Sequence, residues 1–255
     1  MKLVVLQPSY LPWLGYFDQY DWSDVFVLYD DVQYDKNGWR NRNRILTPQG
    51  PTWLTVPVRL AGRDFPPILE VAIDNSKDWR RKHKLSLEQA YRKAPFFSTV
   101  YPALAEVLDR EWEQLVDLDL AMLRALVELL GMEWKLLRSS ELGVPGQKTE
   151  RLLGLCRKLG ATEYLTGDAA RSYLDEAAFQ DLGIRVHWHG YVHPEYRQRS
   201  GEFVPYMSVV DLLFHHGPES RSILRCPRTD PPQERPPGAA APAPGPAPEA
   251  EAFQV

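Results

Sequence analysis

Cysteine is scarce. The chain carries two, Cys156 and Cys226, and their spacing matches neither a thiolate metal site nor a disulfide framework. Long apolar runs are missing as well. None approaches the roughly 20 residues that a bilayer-spanning helix needs, and the N-terminus lacks the basic region and following apolar stretch of a signal peptide. Neither sign of charge dominates: 30 Lys and Arg stand against 34 Asp and Glu, for a net charge of −4. Global electrostatics therefore offer no handle for nucleic acid. There is no Gly-x-Ser-x-Gly elbow and no Walker-type phosphate loop. These absences lead us to expect a cytoplasmic protein with no membrane span, no nucleic-acid partner and no metal site. Its chemistry would rest on positioning and general base catalysis rather than covalent attack.

What is present is concentrated in the first forty-four residues. Lys2 to Gln7 is an apolar run of strand length, followed by Pro8-Ser9-Tyr10-Leu11-Pro12-Trp13-Leu14-Gly15-Tyr16, where two prolines and a glycine forbid a simple helix or strand. A short helix over Tyr16 to Ser23 and a second buried strand, Asp24 to Tyr29, complete a βαβ unit that ends in Asp30-Asp31. Ligands of open parallel sheets sit beyond the carboxyl ends of the strands. Gln7 and Asp30-Asp31 occupy those ends.

Further on, Asn37-Gly38 marks a turn. If the segment after it is extended, Arg40, Arg42 and Arg44 share one face. Short strands are expected at Thr52 to Val58 and Leu69 to Ile73, separated by a Gly/Pro-containing loop from Ala61 to Pro67. Asp74-Asn75-Ser76 offers a cap for a helix that begins Trp79-Arg80-Arg81-Lys82-His83-Lys84, a basic start that opposes the macrodipole unless an anion lies nearby. Residues from about Ser98 to Leu130 read as one strongly helical run, so that 75–131 is mostly helical. Strands at Glu133 to Arg138, Thr162 to Leu165 and Arg185 to His189 then alternate with helices at Lys148 to Leu159, Ala169 to Leu182 and Met207 to His215. The pattern predicts a Rossmann-like α/β fold, a mainly parallel sheet with helices on both faces and a helical segment near the middle. One domain is expected over 1–226.

Several residues stand out chemically. Asp30 and Asp31 can serve as base, metal ligand or amine anchor, or simply cap a turn. Arg40 and Arg42 suit bidentate binding of carboxylate or phosphate, against the alternative of surface ion pairs with the chain's many acids. Lys148 opens a helix whose amides can face an anion, or it is a solvated cap. His193, Tyr196 and Gln198 lie in a proline-bearing loop, and Gly167 follows a strand end. Tyr10 and Tyr16 need partners for their hydroxyls if buried. Trp13 and Phe17 either line a ligand or pack the first helix on the sheet. His187 and His189 alternate on one strand face without a third metal ligand, and Cys156 shares a helical face with leucines.

Gln7-Pro8-Ser9-Tyr10-Leu11-Pro12-Trp13-Leu14-Gly15-Tyr16-Phe17 resembles the opening motif of the WbqC-like family. Asp30-Asp31-Val32-Gln33-Tyr34, Trp39-Arg40-Asn41-Arg42, and the pattern from His193-Pro194 through Tyr196, Gln198 and Phe203-Val204-Pro205 to Ser208 and Asp211-Leu212-Leu213 resemble its later motifs. So do Lys148-Thr149 and Tyr164-Leu165-Thr166-Gly167. The resemblance spans roughly residues 1 to 222. It implies a role in O-antigen and related surface-polysaccharide metabolism, in the version we expect a transferase passing an aminoacyl group such as glycyl to an activated sugar. It brings no catalytic residues and names no cofactor. In that expectation Asp30 or Asp31 holds an amine or acts as base, Arg40 and Arg42 bind carboxylate or phosphate, and His193 moves protons. Gln7, Tyr10, Trp13, Tyr16, Lys148, Gly167, Tyr196 and Gln198 would line the same pocket for a small, anionic substrate. A non-catalytic accessory protein with that pocket is the alternative. The opening loop is also distantly similar to that of HIGH-type nucleotidyltransferases, with Trp13-Leu14-Gly15-Tyr16 standing where that signature carries its two histidines.

From Pro227 onward the chain is rich in proline and alanine with almost no large apolar residues, a composition that cannot offset its ordering entropy. A chain truncated after Arg228 is therefore expected to melt within a degree or two of the full-length protein in a thermal scan. A large drop would place the domain boundary further toward the C-terminus.

Overall fold

In the computed structural model, which describes residues 1–60, 62, 66–199 and 201–225, the chain runs β1 (Lys2–Leu6), α1 (Leu14–Trp22) and β2 (Val25–Leu28). Next come β3 (Arg42–Thr47), β4 (Gly50–Thr55), β5 (Val58–Arg59) and β6 (Ala72–Ile73), then α2 (Trp79–Tyr91), α3 (Phe97–Asp109) and α4 (Leu115–Leu129). The second half alternates β7 (Leu136–Arg138), α5 (Ser139–Leu142), α6 (Lys148–Leu159), β8 (Glu163–Thr166), α7 (Glu176–Asp181) and β9 (Arg185–Trp188), and closes with α8 (Val209–His216) and α9 (Ser220–Leu224). Cys226, the Pro/Ala-rich tail and most of the loop expected from Ala61 to Pro67 lie outside the described residues. Among the described residues no helix is long and apolar enough to cross a membrane.

Five strands form one parallel sheet in the order β7-β2-β1-β8-β9. This is the Rossmann-like α/β arrangement that the alternation of strands and helices predicts. Both sheet faces are buried, because successive side chains of a strand point to opposite sides. Val4, Phe26 and Leu28 face the larger core with Phe17 and Tyr20 of α1, the α2–α4 helices and α8. Leu3, Val5 and Val27 face the smaller one with Leu152, Leu155 and Cys156 of α6 and Phe179 of α7. Each fully buried Leu, Val or Phe contributes roughly 1.5–3 kcal/mol, so the central strand β1 is anchored from both sides.

The helical segment departs from expectation in one place. The run predicted over 98–130 is two helices, because residues 110–114 are claimed by strand-like pairing. Ile73 donates its N–H to the Glu113 carbonyl at 2.8 Å, Leu115 donates to Val71 at 2.8 Å, and Ala72 bridges Gln114. Long-range pairing here overrides helix propensity. Likewise Asp74 closes a turn on Ser76, with its Oδ1 accepting from the Ser76 hydroxyl at 2.6 Å, and the helix starts only at Trp79.

Asp30 joins two strands of the sheet. Its fully buried carboxylate accepts from Arg138 Nε at 2.7 Å, Ser139 Oγ at 3.0 Å, Ser140 N at 3.0 Å and Ser140 Oγ at 2.9 Å, clamping the end of β2 to the end of β7. Burial pushes this carboxyl up, but the bonds from Arg138 and Ser140 outweigh it and hold it below the ordinary range. A depressed folded pKa means stability that is present at neutral pH and lost as pH falls through that lowered value. Asp30→Asn should therefore cost about 1.5–3 kcal/mol near pH 7, the range for hydrogen bonds to charged groups. The deficit should shrink in denaturant melts run at progressively lower pH, below about 4.

Candidate functional site

The strand order reverses between β1 and β8. The chain first builds outward through β2 to β7, then returns to the other side of β1. The crevice beyond such a reversal is where open α/β sheets bind ligands. Here it is flanked by Gln7-Pro8 on one side and Gly167-Asp168 on the other. Gln7 is half-buried there, and a Cβ placed on Gly167 would meet nothing within 4 Å.

Asp31 turns away from it. Its Oδ1 accepts from Ser139 Oγ at 2.6 Å and its Oδ2 is paired with Arg151 of α6. Both acids of the Asp30-Asp31 pair are therefore engaged by the ends of β7 and by α6.

The loop after β1 is stitched to the segment preceding β3. Arg40 Nη1 donates to the Pro8 carbonyl at 2.7 Å and its Nε donates to Asp35 Oδ1 at 3.0 Å. Tyr10 N donates to the carbonyls of Trp39 and Arg40, both at 3.2 Å, and Asn43 Nδ2 donates to the Leu11 carbonyl at 2.8 Å. Leu11 itself is held at φ +47, a left-handed conformation unfavourable for a branched side chain. A Cβ on Gly38 would lie 1.6 Å from Asp35 Oδ2, so a larger residue there would shift that carboxylate from its place on Arg40. The three arginines do not form a ladder. Arg40 precedes the strand, while Arg42 and Arg44 lie over the Trp53 ring at 4.6 and 5.7 Å.

Behind Arg40 is a group that sequence reasoning did not single out. Asp119 of α4 is 2% exposed, and neither of its carboxylate oxygens has a hydrogen-bond partner among the described residues. Arg40 acts on it electrostatically but forms no ion pair with it, and burial drives its pKa well upward against that pull. The phenols of Tyr10, Tyr16 and Tyr34 feel the same carboxyl, and the buried Tyr16 hydroxyl is also unpartnered. Burial first, then Asp35 and Asp119, pushes Tyr34 up to about 12. The Tyr10 hydroxyl is satisfied, donating to His83 Nδ1 at 2.9 Å. A guanidinium, a carboxyl without hydrogen-bond partners among the described residues and the phenols of Tyr10, Tyr16 and Tyr34 thus act on one another electrostatically beside Pro8. Burial strengthens such charge interactions.

Most of the remaining candidates are engaged by other parts of the fold. Trp13 packs edge-on against Tyr191 at 5.3 Å and stacks with His193 at 6.5 Å, its indole lying over Gly15. Both His193 nitrogens are engaged, Nδ1 donating to Pro194 O at 2.9 Å and Nε2 accepting from Tyr206 N at 3.2 Å. Burial lowers its pKa, which favours the neutral ring. Tyr196 Oη and Gln198 Nε2 each donate to Asp211 Oδ2 at 3.0 Å, satisfying a buried carboxylate of α8. Lys148 is exposed at the start of α6 with φ +48. His187 and His189 pair with Glu163 at 2.9 Å and Asp18 at 2.8 Å. No grouping of three or more His, Cys, Asp or Glu that would hold a metal ion occurs among the described residues.

The model of the WbqC-like protein family matches residues 7–223, which include the stitched loop, the acidic strand end and Asp119. The chain belongs to the WbqC-like family. It is 42% identical over 226 residues to the uncharacterized protein Rv1507c of Mycobacterium tuberculosis, a match covering 88% of this chain and 97% of that protein. No solved structure matches it.

Asp119 did leave a signal in the sequence. It sits four residues after Leu115 and three before Met122, on the stripe that α4 buries. An acid on an apolar helical face is expected to be neutral or paired. Because its raised pKa favours the protonated form, folding stability falls as pH rises from the ordinary carboxylate range through the raised folded value. Asp119→Asn cannot ionise. It should be more stable than the parent at neutral pH by on the order of 1 kcal/mol or more, the free energy that a raised carboxyl pKa takes from the folded state. In matched urea melts the gain should vanish below about pH 4. A variant less stable than the parent at pH 7 would mean that the carboxylate is compensated after all.

Proposed function

We propose that the protein is a small transferase of surface-polysaccharide or related secondary metabolism that binds an amine-bearing, anionic molecule beyond the end of β1. The observation that carries this reading is Asp119, a buried carboxyl with no hydrogen-bond partner, set beside Arg40. A ligand ammonium would supply the donors that Asp119 lacks, and Arg40 Nη2, which donates to no acceptor among the described residues, would donate to a carboxylate or phosphate oxygen. An aminoacyl group such as glycyl meets both demands, with an activated sugar as acceptor in the crevice lined by Gln7 and Gly167. Sequence reasoning put the amine anchor or base at Asp30 or Asp31. Their hydrogen bonds to Arg138, Ser139, Ser140 and Arg151 favour Asp119 for that task. Asp30 and Asp31 then act as positioning residues for the strand ends, and Trp13, Tyr16 and His193 shape the aromatic side of the pocket. Residues 1–226 would act as one unit.

A second reading, a non-catalytic binding protein with the same pocket, is favoured by one observation. The ring nitrogens of His193 and the oxygens of Asp30 and Asp31 are already engaged within the fold, which leaves few free acid–base groups.

Calorimetric titration with amino acids, sugar nucleotides and nucleotides, followed by product analysis, tests both. The best amine-bearing ligand should bind Arg40→Lys more weakly by roughly 1–3 kcal/mol, since lysine keeps the charge and loses the planar fork. Asp119→Asn should abolish turnover. Binding without product in the parent protein supports the accessory reading, and unchanged affinity in both variants sinks the site.

A further inference from the structure

The basic start of α2 is not used by the site above. Of its cations, Arg80 pairs with Glu111, Arg81 with Asp78 and Lys84 with Asp109. Lys82, and Lys77 just before the helix, are exposed and form no ion pair among the described residues. Both line a groove of about 420 Å³ between β4 and α2, whose walls include Trp53, Trp79 and His83. His83 adds no charge there, since burial lowers its pKa to about 4. Its Nε2 donates to the Thr55 carbonyl at 3.2 Å and its Nδ1 accepts from Tyr10. Trp53 is fixed in place, with Arg42 over its ring at 4.6 Å and Trp39 at 5.4 Å.

Lys77 lies in the field of Asp74, whereas Lys82 forms no ion pair among the described residues and stands in the first turn of the helix, where a cation opposes the dipole. An anion in the groove relieves that penalty. Trp53, half-buried in the groove wall, offers an aromatic surface that accepts the flat face of a base, while Trp79 is buried. The volume lies within the range of small-ligand sites.

We propose that this groove is a second ligand site, which takes a nucleoside diphosphate. Lys77 and Lys82 hold the diphosphate and Trp53 packs against the base. The site is distinct from the Asp119 volume and does not depend on what Asp119 binds. Recognition here is electrostatic and stacking, with no covalent step.

The test is titration of the full-length chain at low salt with uridine diphosphate, inorganic pyrophosphate and uridine, read by heat and by tryptophan fluorescence. Uridine diphosphate should bind and quench the fluorescence, with pyrophosphate weaker and uridine weakest. The double variant Lys77→Ala/Lys82→Ala, both positions exposed and so harmless to folding, should weaken the diphosphate and pyrophosphate at least tenfold. Lys93→Ala, which removes an exposed lysine just beyond the far end of the same helix, should leave the affinity within twofold. Trp53→Leu should weaken uridine diphosphate and spare pyrophosphate. An unaffected double-lysine variant, or no binding by the parent chain, overturns the proposal. Pyrophosphate binding as tightly as uridine diphosphate overturns the nucleotide assignment.

Discussion

Arg40 meets three demands at once, and the geometry at the end of the sheet follows from how it meets them. One of its nitrogens holds the Pro8 carbonyl, which fixes where the chain goes after leaving β1. Another holds Asp35, whose carboxylate lies close over Gly38 in the Asp35–Gly38 turn. The remaining charge acts inward on Asp119 and Tyr16. A lysine would satisfy one of these at a time, because it lacks the planar fork. The strained Leu11 conformation is understandable on the same footing: the surrounding bonds from Trp39, Arg40 and Asn43 over-determine the loop and keep the backbone where it would not rest alone.

Asp119 is a liability in purely structural terms. Two carboxyl oxygens and a phenol without partners in one buried volume cost stability that an apolar side chain at the same position of α4 would not. The neighbouring Asp211 shows how the same fold treats a buried acid that only has to be tolerated. Tyr91, Tyr196 and Gln198 each donate to it at 3.0 Å, and His215 lies 3.9 Å away. Asp30 is handled the same way by Arg138 and two serines. Against those two fully satisfied acids, Asp119 is the exception. Strained or unsatisfied groups persist where activity needs them, at the expense of stability.

The sheet was legible because its signal is local. Short apolar runs ending at Gln7, Asp30 and Gly167 carry their own boundaries, and both faces of β1 are apolar, as a parallel strand requires. The break at 110–114 was not legible, since it depends on pairing with Val71 and Ile73 some forty residues earlier. The arginine alternation was read as a ladder because period two presumes a strand through Arg40. There the carbonyl accepts from Tyr10, so the strand begins at Arg42. The strand-end acids were visible as residues but not as bonds, because Arg138, Ser139 and Arg151 reach them from more than a hundred positions away. Asp119 was present on the apolar stripe of α4, yet an acid inside a helical run reads as its solvated face until the burial of that face is known.

Tyr10 links the groove wall to the segment that carries Arg40. Its hydroxyl bonds His83 in the wall of the groove, while its ring lies within the field of Asp119. His83 must stay neutral to accept that bond, and its depressed pKa keeps it so at any pH where the protein would work. The connection therefore carries no proton. What it can carry is position. The Tyr10 ring is fully buried and its backbone N–H is held by Trp39 and Arg40, so a shift of α2 that moves His83 would move Tyr10, and with it the segment that presents Arg40. Packed interiors transmit such displacements because they have little free volume in which to absorb them.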